Sequence, residues 1–173
     1  QGVDFEDAYY KLAEVVSAKA NEYSFLKDSP SLDEKEKAKF EKLCDEDYLK
    51  SFDKKTQSYV TSAIISLARM LYKHFKKQVY VLIDEYDVPL AKAQEKGYHD
   101  EMVTLISSLF DFFKTIPQDP ETGEQYVNKV IMTGCLKVAK NSIFTGVNNL
   151  YVNTVTSQLK QYTGMIGFTK EDT

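Results

Sequence analysis

Cysteine is scarce in this chain of 173 residues, and the two cysteines, Cys44 and Cys135, lie far apart with no CxxC spacing. This pattern excludes a disulfide framework and a cysteine-based zinc site, and it favours the reducing cytoplasm. Long apolar runs are also missing, and no signal peptide is evident, so we expect no association with a membrane.

Arginine is represented by a single residue, Arg69. Arginine is the side chain best suited to two-pronged binding of phosphate, so an arginine finger is not expected from this chain unless Arg69 serves as one. Its place in the middle of a predicted helix favours an exposed residue instead. The net charge of −4 argues against a protein that grips nucleic acid with its whole surface.

Glycine is sparse, and none of the seven glycines belongs to a GxxxxGK[ST] stretch. Such a stretch forms the loop whose backbone amides hold phosphate groups. The chain begins with Gln1 rather than Met, and we expect it to be a segment of a longer protein.

Residues 1–55 predict a series of helices that carry many charges. Apolar residues recur at helical steps in the first of them: Phe5, Tyr9, Leu12, Val16 and Tyr23. Asp4 is placed to cap this helix, and Ser31 and Glu34 have the spacing of a capping box for the next. The charges pair at i,i+3 as Glu34/Lys37 and Glu36/Lys39. We interpret residues 28–55 as a solvated helical excursion, with a charged docking surface as the alternative.

Residues 56–134 predict helices that alternate with strands. Thr56 is placed to cap a helix whose apolar side consists of Val60, Ile64, Leu67, Leu71 and Phe75. The run QVYVLIDE predicts a strand buried on both faces, and YVNKVIMTG predicts a second strand after an intervening helix. This order predicts an α/β fold with a parallel sheet flanked by helices.

Polar side chains follow both predicted strands. Asp84 and Glu85 end the first strand and Thr133 ends the second, at the edge where parallel sheets bind ligands. An apolar strand that ends in Asp-Glu is the Walker B pattern of P-loop nucleotide hydrolases. The Asp can hold magnesium, often through water, and the Glu can orient or deprotonate the attacking water. The structural alternative is that Asp84 caps the next turn and Glu85 pairs with a lysine.

The longer phrases LIDEYDVPL and SIFTGVNNL, together with GYHDEMV and GFTKED, resemble the AAA-ATPase-like family. In these bacterial proteins a P-loop ATPase domain often precedes a nuclease-like domain of the PD-(D/E)XK type. The likeness runs over most of residues 56–173, whereas residues 1–55 match only by their helical character. The resemblance implies one domain segment over 1–173, with a partial P-loop NTPase-like three-layer fold. Residues 56–173 form its core, which contains the Walker B and sensor positions.

The resemblance also implies roles for individual residues near the acid pair. Asp84 would be the magnesium-associated acid, Glu85 the catalytic carboxylate and Thr133 the sensor-like residue. Asp87 belongs to the same DEYD phrase, and either a functional role or a turn-forming role before Pro89 fits it.

Two further positions enter as expected contacts of the nucleotide. The family commonly carries an arginine where Lys137 stands, and a lysine there keeps the charge but loses the two-pronged geometry. Asn148 and the neighbouring Asn149 match the NNL phrase. They either bond to backbone near the site or shape the loop after Gly146.

The resemblance implies Mg²⁺ and ATP as ligands of the full-length protein, with neither bound to this segment alone. The phosphate-binding loop is expected in an N-terminal portion, and a C-terminal nuclease-like domain is a possible partner. A non-catalytic interaction module on a degenerate ATPase fold is the alternative function. A nuclease that gathers metal on Asp84, Glu85 and Asp87 is a third hypothesis, but the chain lacks the ExK partner.

Overall fold

The computed structural model describes residues 4–134, 143, 144 and 151. These residues form seven α-helices, two short 3₁₀ helices and two β-strands. The helices are α1 (Phe5–Asn21), α2 (Glu34–Cys44), α3 (Glu46–Leu49), α4 (Lys54–Thr61), α5 (Ala63–Phe75), α6 (Val88–Lys96) and α7 (His99–Phe110). The 3₁₀ helices are Ser24–Asp28 and Asp111–Phe113, and the strands are β1 (Val79–Ile83) and β2 (Val127–Met132). No helix among these residues is both long and apolar enough to cross a membrane.

The two strands pair in parallel, and α6 and α7 lie in the connection between them. The register runs to Ile83 opposite Met132, with one irregularity after Val79. Pro89 fits the first turn of α6, and Gly97 ends that helix with a left-handed φ of 86°. Helix α5 packs against β1. The predicted α/β class, with a parallel sheet flanked by helices, is confirmed.

The prediction that β1 is buried on both faces is wrong for the described residues. Tyr80 and Leu82 are 61% and 73% exposed, and Ile131, the partner of Leu82 on β2, is 48% exposed. The described helices cover the opposite face, where Val81 and Ile83 are partly buried. An unbroken run of apolar residues therefore indicates a strand here, but it does not show which faces are covered.

One cluster of buried apolar side chains joins the N-terminal helices to the rest of the described structure. Tyr9 in α1 and Phe40 in α2 are fully buried, and they belong to the same cluster as Ile106 in α7 and Phe144. Tyr9 also donates a hydrogen bond from its hydroxyl to the backbone oxygen of Leu49, at 3.0 Å. The charged helices of the first 55 residues thus bury apolar faces in the common core.

Aspartate side chains cap the N-terminal ends of helices α1 to α4. Asp4 caps α1 by accepting the N–H of Asp7 at 2.9 Å, as predicted. The predicted Ser31–Glu34 capping box is wrong, because Asp33 and Glu36 form that box two residues later. Thr56 is not the cap of the following helix either: Asp53 accepts its N–H at 2.8 Å, and Thr56 completes the capping box from inside α4.

The single helix predicted for residues 57–75 is interrupted at Ser62, between α4 and α5. The hydroxyls of Thr61 and Ser62 bond back to the backbone oxygens of Gln57 and Ser58, at 3.0 and 2.7 Å. Bonds of this kind compete with the helical ladder and bend helices. Downstream of the break the predicted apolar side is only partly kept, because Phe75 is 55% exposed.

Glu36 makes a contact between helices that its sequence position does not indicate. The Glu34–Lys37 pair forms at 3.6 Å, but Glu36 does not pair with Lys39 as predicted. Its carboxylate contacts Lys73 at 2.6 Å and Arg69 at 3.2 Å, both on α5. Arg69 is half exposed, in line with the interpretation of a residue near the surface.

Candidate functional site

The carboxyl ends of β1 and β2 bring together three side chains that follow the strands. Ile83 and Met132 are partners in the register of the two strands, and Asp84 and Thr133 are the residues that directly follow them. The Thr133 hydroxyl donates a hydrogen bond to Oδ1 of Asp84. Because parallel strands end at the same edge, the sequence could predict this proximity. The hydrogen bond also gives the Asp84 carboxylate one orientation.

A bulge at the end of β1 inserts Glu85 into the strand pair. The N–H of Thr133 donates to the oxygen of Ile83 at 2.9 Å, as regular parallel pairing requires. Regular pairing would then bond the Glu85 N–H to the Thr133 oxygen, but Tyr86 donates to that oxygen instead, at 3.2 Å. The Glu85 N–H turns to Oδ1 of Asp84, at 3.0 Å. One extra residue in a strand re-aims side chains, and such bulges are common beside active sites.

Glu85 has a left-handed backbone conformation within this bulge, with φ at 52°. This conformation is rare for a residue with a long side chain and costs on the order of 1 kcal/mol or more. The hydrogen bonds on either side hold it in place. The position of Glu85 after the strand is evident from the sequence, but its left-handed conformation is not, because a glutamate gives no local signal for it.

Asp84 and Glu85 lie at the carboxyl ends of the two strands, which we call the tip, and both are exposed to solvent. Among the described residues, neither Asp84 nor Glu85 forms an ion pair, so the alternative in which Glu85 pairs with a lysine finds no support there. The side chain of Asp84 accepts the N–H of Glu85 where the chain turns after β1, but it does not cap α6, whose N-cap residue is Asp87. The two carboxylates are therefore accessible to a ligand that approaches this edge of the sheet.

Asp87, three residues after Asp84, differs from the exposed pair because it is only 2% exposed. Its side chain lies directly against Gly134, the residue after Thr133. Gly134 is not among the site residues predicted from the sequence. A glycine immediately after a strand, opposite an acidic turn, is a signal of close backbone approach.

The donor atoms at the tip fit a magnesium ion that is bound largely through water. Among the residues that the structure describes, no three His, Cys, Asp or Glu side chains are grouped to hold a metal. Magnesium needs fewer protein ligands, because it retains water and binds one or two carboxylates plus phosphate oxygens. The carboxylate of Asp84 and the hydroxyl of Thr133 are suitable oxygen groups. The nuclease hypothesis loses support, since its three acids are not gathered at one point.

Phe144, from the sequence SIFTGVNNL, packs its ring against Tyr86, from the sequence LIDEYDVPL. Phe144, which is 7% exposed, lies 5.8 Å from Tyr86 between ring centroids, and it stacks on Phe110 of α7 at 6.1 Å. Tyr86 follows Glu85, so this packing supports the bulge from the core side. Lys137, Asn148, Asn149 and Cys135 lie outside the described residues.

A family model described as "Predicted AAA-ATPase" (AAA-ATPase_like) matches residues 5–144. The match includes the N-terminal helices, which the short phrases did not cover, and it ends before Asn148. No curated protein and no solved structure matches the chain.

Proposed function

Because this chain belongs to the AAA-ATPase-like family, we propose that it carries the acidic residues of a magnesium-dependent ATP hydrolase. The observation that carries the proposal is the hydrogen bond between Thr133 and Asp84 at adjacent strand ends, with Glu85 turned out beside them by the bulge. The mixed α/β architecture, with its parallel strands between helices, is consistent with part of a P-loop-like fold.

Asp84 is the proposed metal-associated acid. Its Oδ1 accepts both the Thr133 hydroxyl and the Glu85 N–H, so the carboxylate has a fixed direction before any ligand arrives. Bound Mg²⁺ would neutralise charge on the β- and γ-phosphates of ATP. Thr133 orients Asp84 and is the sensor-like group at the same edge.

Glu85 is the proposed catalytic carboxylate. It is exposed and forms no ion pair with any described residue, so it is available to accept a proton from the water that attacks the γ-phosphate. Its backbone is held by the flanking hydrogen bonds of Asp84 and Tyr86. Holding the base in place before the reaction lowers the entropic part of the barrier.

Other parts of the nucleotide site lie outside the described residues or outside this sequence. The 173 residues contain no GxxxxGK[ST] stretch, and we propose that another portion of the protein supplies the phosphate-binding loop. The chain alone is therefore proposed to be inactive. Lys137 and Asn148 are proposed contacts of the nucleotide, and a nuclease-like domain is a proposed partner.

The experiment compares Asp84→Ala with Glu85→Gln in the intact protein, with Glu95→Gln on the exposed side of α6 as the control. ATP binding is measured with Mg²⁺ and with EDTA. Asp84→Ala should weaken the magnesium-dependent part of binding, whereas Glu85→Gln and Glu95→Gln should bind ATP like the wild type.

Binding that is equally strong in EDTA, or an Asp84→Ala variant that keeps the full magnesium effect, would contradict the role of Asp84. A protein that binds no ATP under any condition would favour the second candidate function. That function is a non-catalytic interaction module. The observation that favours it is the exposed apolar face formed by Tyr80, Leu82 and Ile131.

A further inference from the structure

Asp87 is buried although the two other acids of the DEYD phrase, Asp84 and Glu85, are exposed. Its backbone oxygen accepts the N–H groups of Leu90 and Ala91, at 3.1 and 3.0 Å, and so begins α6, but its side chain does not cap that helix. An acid that only formed this turn could leave its carboxylate in water. Burial of a carboxylate is unfavourable unless the surroundings compensate for it. The tertiary surroundings of this side chain, and not the turn alone, therefore account for its burial.

The surroundings of Asp87 include the backbone of Gly134. A Cβ atom at position 134 would lie 2.6 Å from Oδ1 of Asp87 and 2.8 Å from Cε1 of Tyr86. Gly134 does not have a left-handed φ, unlike Gly97 and Gly123. A larger residue at position 134 would thus require the side chains of Asp87 and Tyr86 to shift, and the reason is their close approach and not an unusual backbone conformation.

Thr133 is consequently held from several directions. Its hydroxyl donates to Asp84, its N–H and carbonyl bond to Ile83 and Tyr86, and the next residue rests on Asp87. We propose that Asp87 is a positioning residue that acts through Gly134 to keep the Thr133 hydroxyl on Asp84 during turnover. This inference rests on the proposed function, because it assigns Asp87 a part in the same reaction.

The first test measures kcat and KM for Mg-ATP in the intact protein. Gly134→Ala and Asp87→Ala should each lower kcat about 10²-fold with little change in KM, because a displacement of about 1 Å can cost that much. The double variant should be no slower than the worse single variant, since both changes disturb one arrangement. Asp119→Ala is the control: Asp119 is also buried, at 7% exposed, but it lies in the loop before β2.

The second test does not depend on hydrolysis. Amide hydrogen exchange reports the bonds that Tyr86 and Thr133 donate at the tip. Gly134→Ala and Asp87→Ala should each speed exchange at these two amides by about tenfold or more, while the amides in the middle of β1 exchange as in the wild type. A merely structural role for Asp87 would speed exchange throughout the strand pair and lower stability, with kcat per folded molecule unchanged.

The two tests separate the inference from the function on which it rests. If the intact wild-type protein hydrolyses no ATP, the proposed function fails, and the exchange measurement alone decides whether Asp87 and Gly134 hold the tip. If hydrolysis is present, unchanged kcat in both single variants overturns the inference. Exchange that stays slow at Tyr86 and Thr133 in Gly134→Ala overturns it in either case.

Discussion

Glu85 combines an exposed carboxylate with a left-handed backbone, and both properties follow from the bulge after β1. A residue with a side chain loses free energy in this conformation, whereas glycine does not. The backbone conformation that presents Glu85 for the proposed chemistry therefore lowers the local stability of the fold. Such opposition is expected at functional sites, where strain is maintained by the surrounding structure.

Substitution of Glu85 should reveal the conformational cost. We expect Glu85→Gly to be more stable than Glu85→Ala by about 1 kcal/mol, because alanine keeps the left-handed penalty. In an ordinary helix the order is reversed, with glycine less stable than alanine by about 1 kcal/mol. Urea unfolding of the two variants measures the difference. Equal stability, or a more stable Glu85→Ala, would show that the left-handed conformation is absent in solution.

The identity of the tip residues could be predicted from the sequence, but their arrangement could not. Asp84, Glu85 and Thr133 each follow a run of apolar residues, and parallel strands end at one edge. Glu85 is an extra residue in the pairing because the N–H of Tyr86, and not that of Glu85, donates to the oxygen of Thr133. The sequence does not show which of these neighbouring N–H groups reaches that oxygen. The proximity of Asp87 and Gly134 depends on tertiary structure in the same way.

Helix ends show why the predicted caps were displaced by two or three residues. Ser31, Asp33, Asp53 and Thr56 are all residues that favour an N-cap, and the sequence offers them close together. The structure uses the two aspartates, and backbone N–H groups of Glu36 and Thr56 lower the pKa values of Asp33 and Asp53. A carboxylate at these positions accepts charge-assisted hydrogen bonds and interacts favourably with the helix dipole.

These caps predict a loss of stability in acid. The pKa of Asp53 is lower in the folded protein than in the unfolded chain, so its contribution is present above about pH 4 and is lost as the pH falls through the folded value. Asp53→Asn keeps a capping side chain that does not titrate in this range. The melting temperature of this variant should fall less steeply between about pH 5 and pH 2.

Asp47→Asn provides the control for this pH dependence, because Asp47 is an exposed residue within α3 and not its N-cap. The melting temperature of this variant should fall with decreasing pH as steeply as that of the wild type. If Asp53→Asn loses stability with the same slope as the wild type, the cap does not couple protonation of Asp53 to folding.

At the scale of the whole molecule, the charged N-terminal helices are joined to the following helices by apolar packing and by one buried carboxylate. Glu36 is 8% exposed and contacts Lys73 and Arg69 across the α2–α5 boundary. One of its oxygens also accepts the N–H of Asp33, at 3.1 Å. The sequence indicated a solvated helix here, because charge patterns show local pairs and not the partners that the fold supplies.

Removal of this carboxylate should destabilise the fold. Glu36→Ala leaves two basic side chains without their partner and a cap incomplete, and we expect the free energy of unfolding to fall by about 2 kcal/mol. Glu34→Ala, on the same helix, removes only an exposed contact at 3.6 Å and should change stability little. Chemical denaturation of both variants tests this expectation. A similar loss in the two variants would show that the contact between α2 and α5 contributes no more than a surface pair.

The most direct test of the proposed function is the rate of ATP hydrolysis by the intact protein with Glu85→Gln, compared with the wild type and Glu95→Gln at saturating Mg-ATP. Glutamine keeps the shape of the side chain but does not accept the proton of the attacking water. We expect the Glu85→Gln rate to fall by about 10²-fold or more, with the Glu95→Gln rate unchanged. A Glu85→Gln protein that turns over ATP at the wild-type rate would contradict the assignment of Glu85 as the catalytic carboxylate.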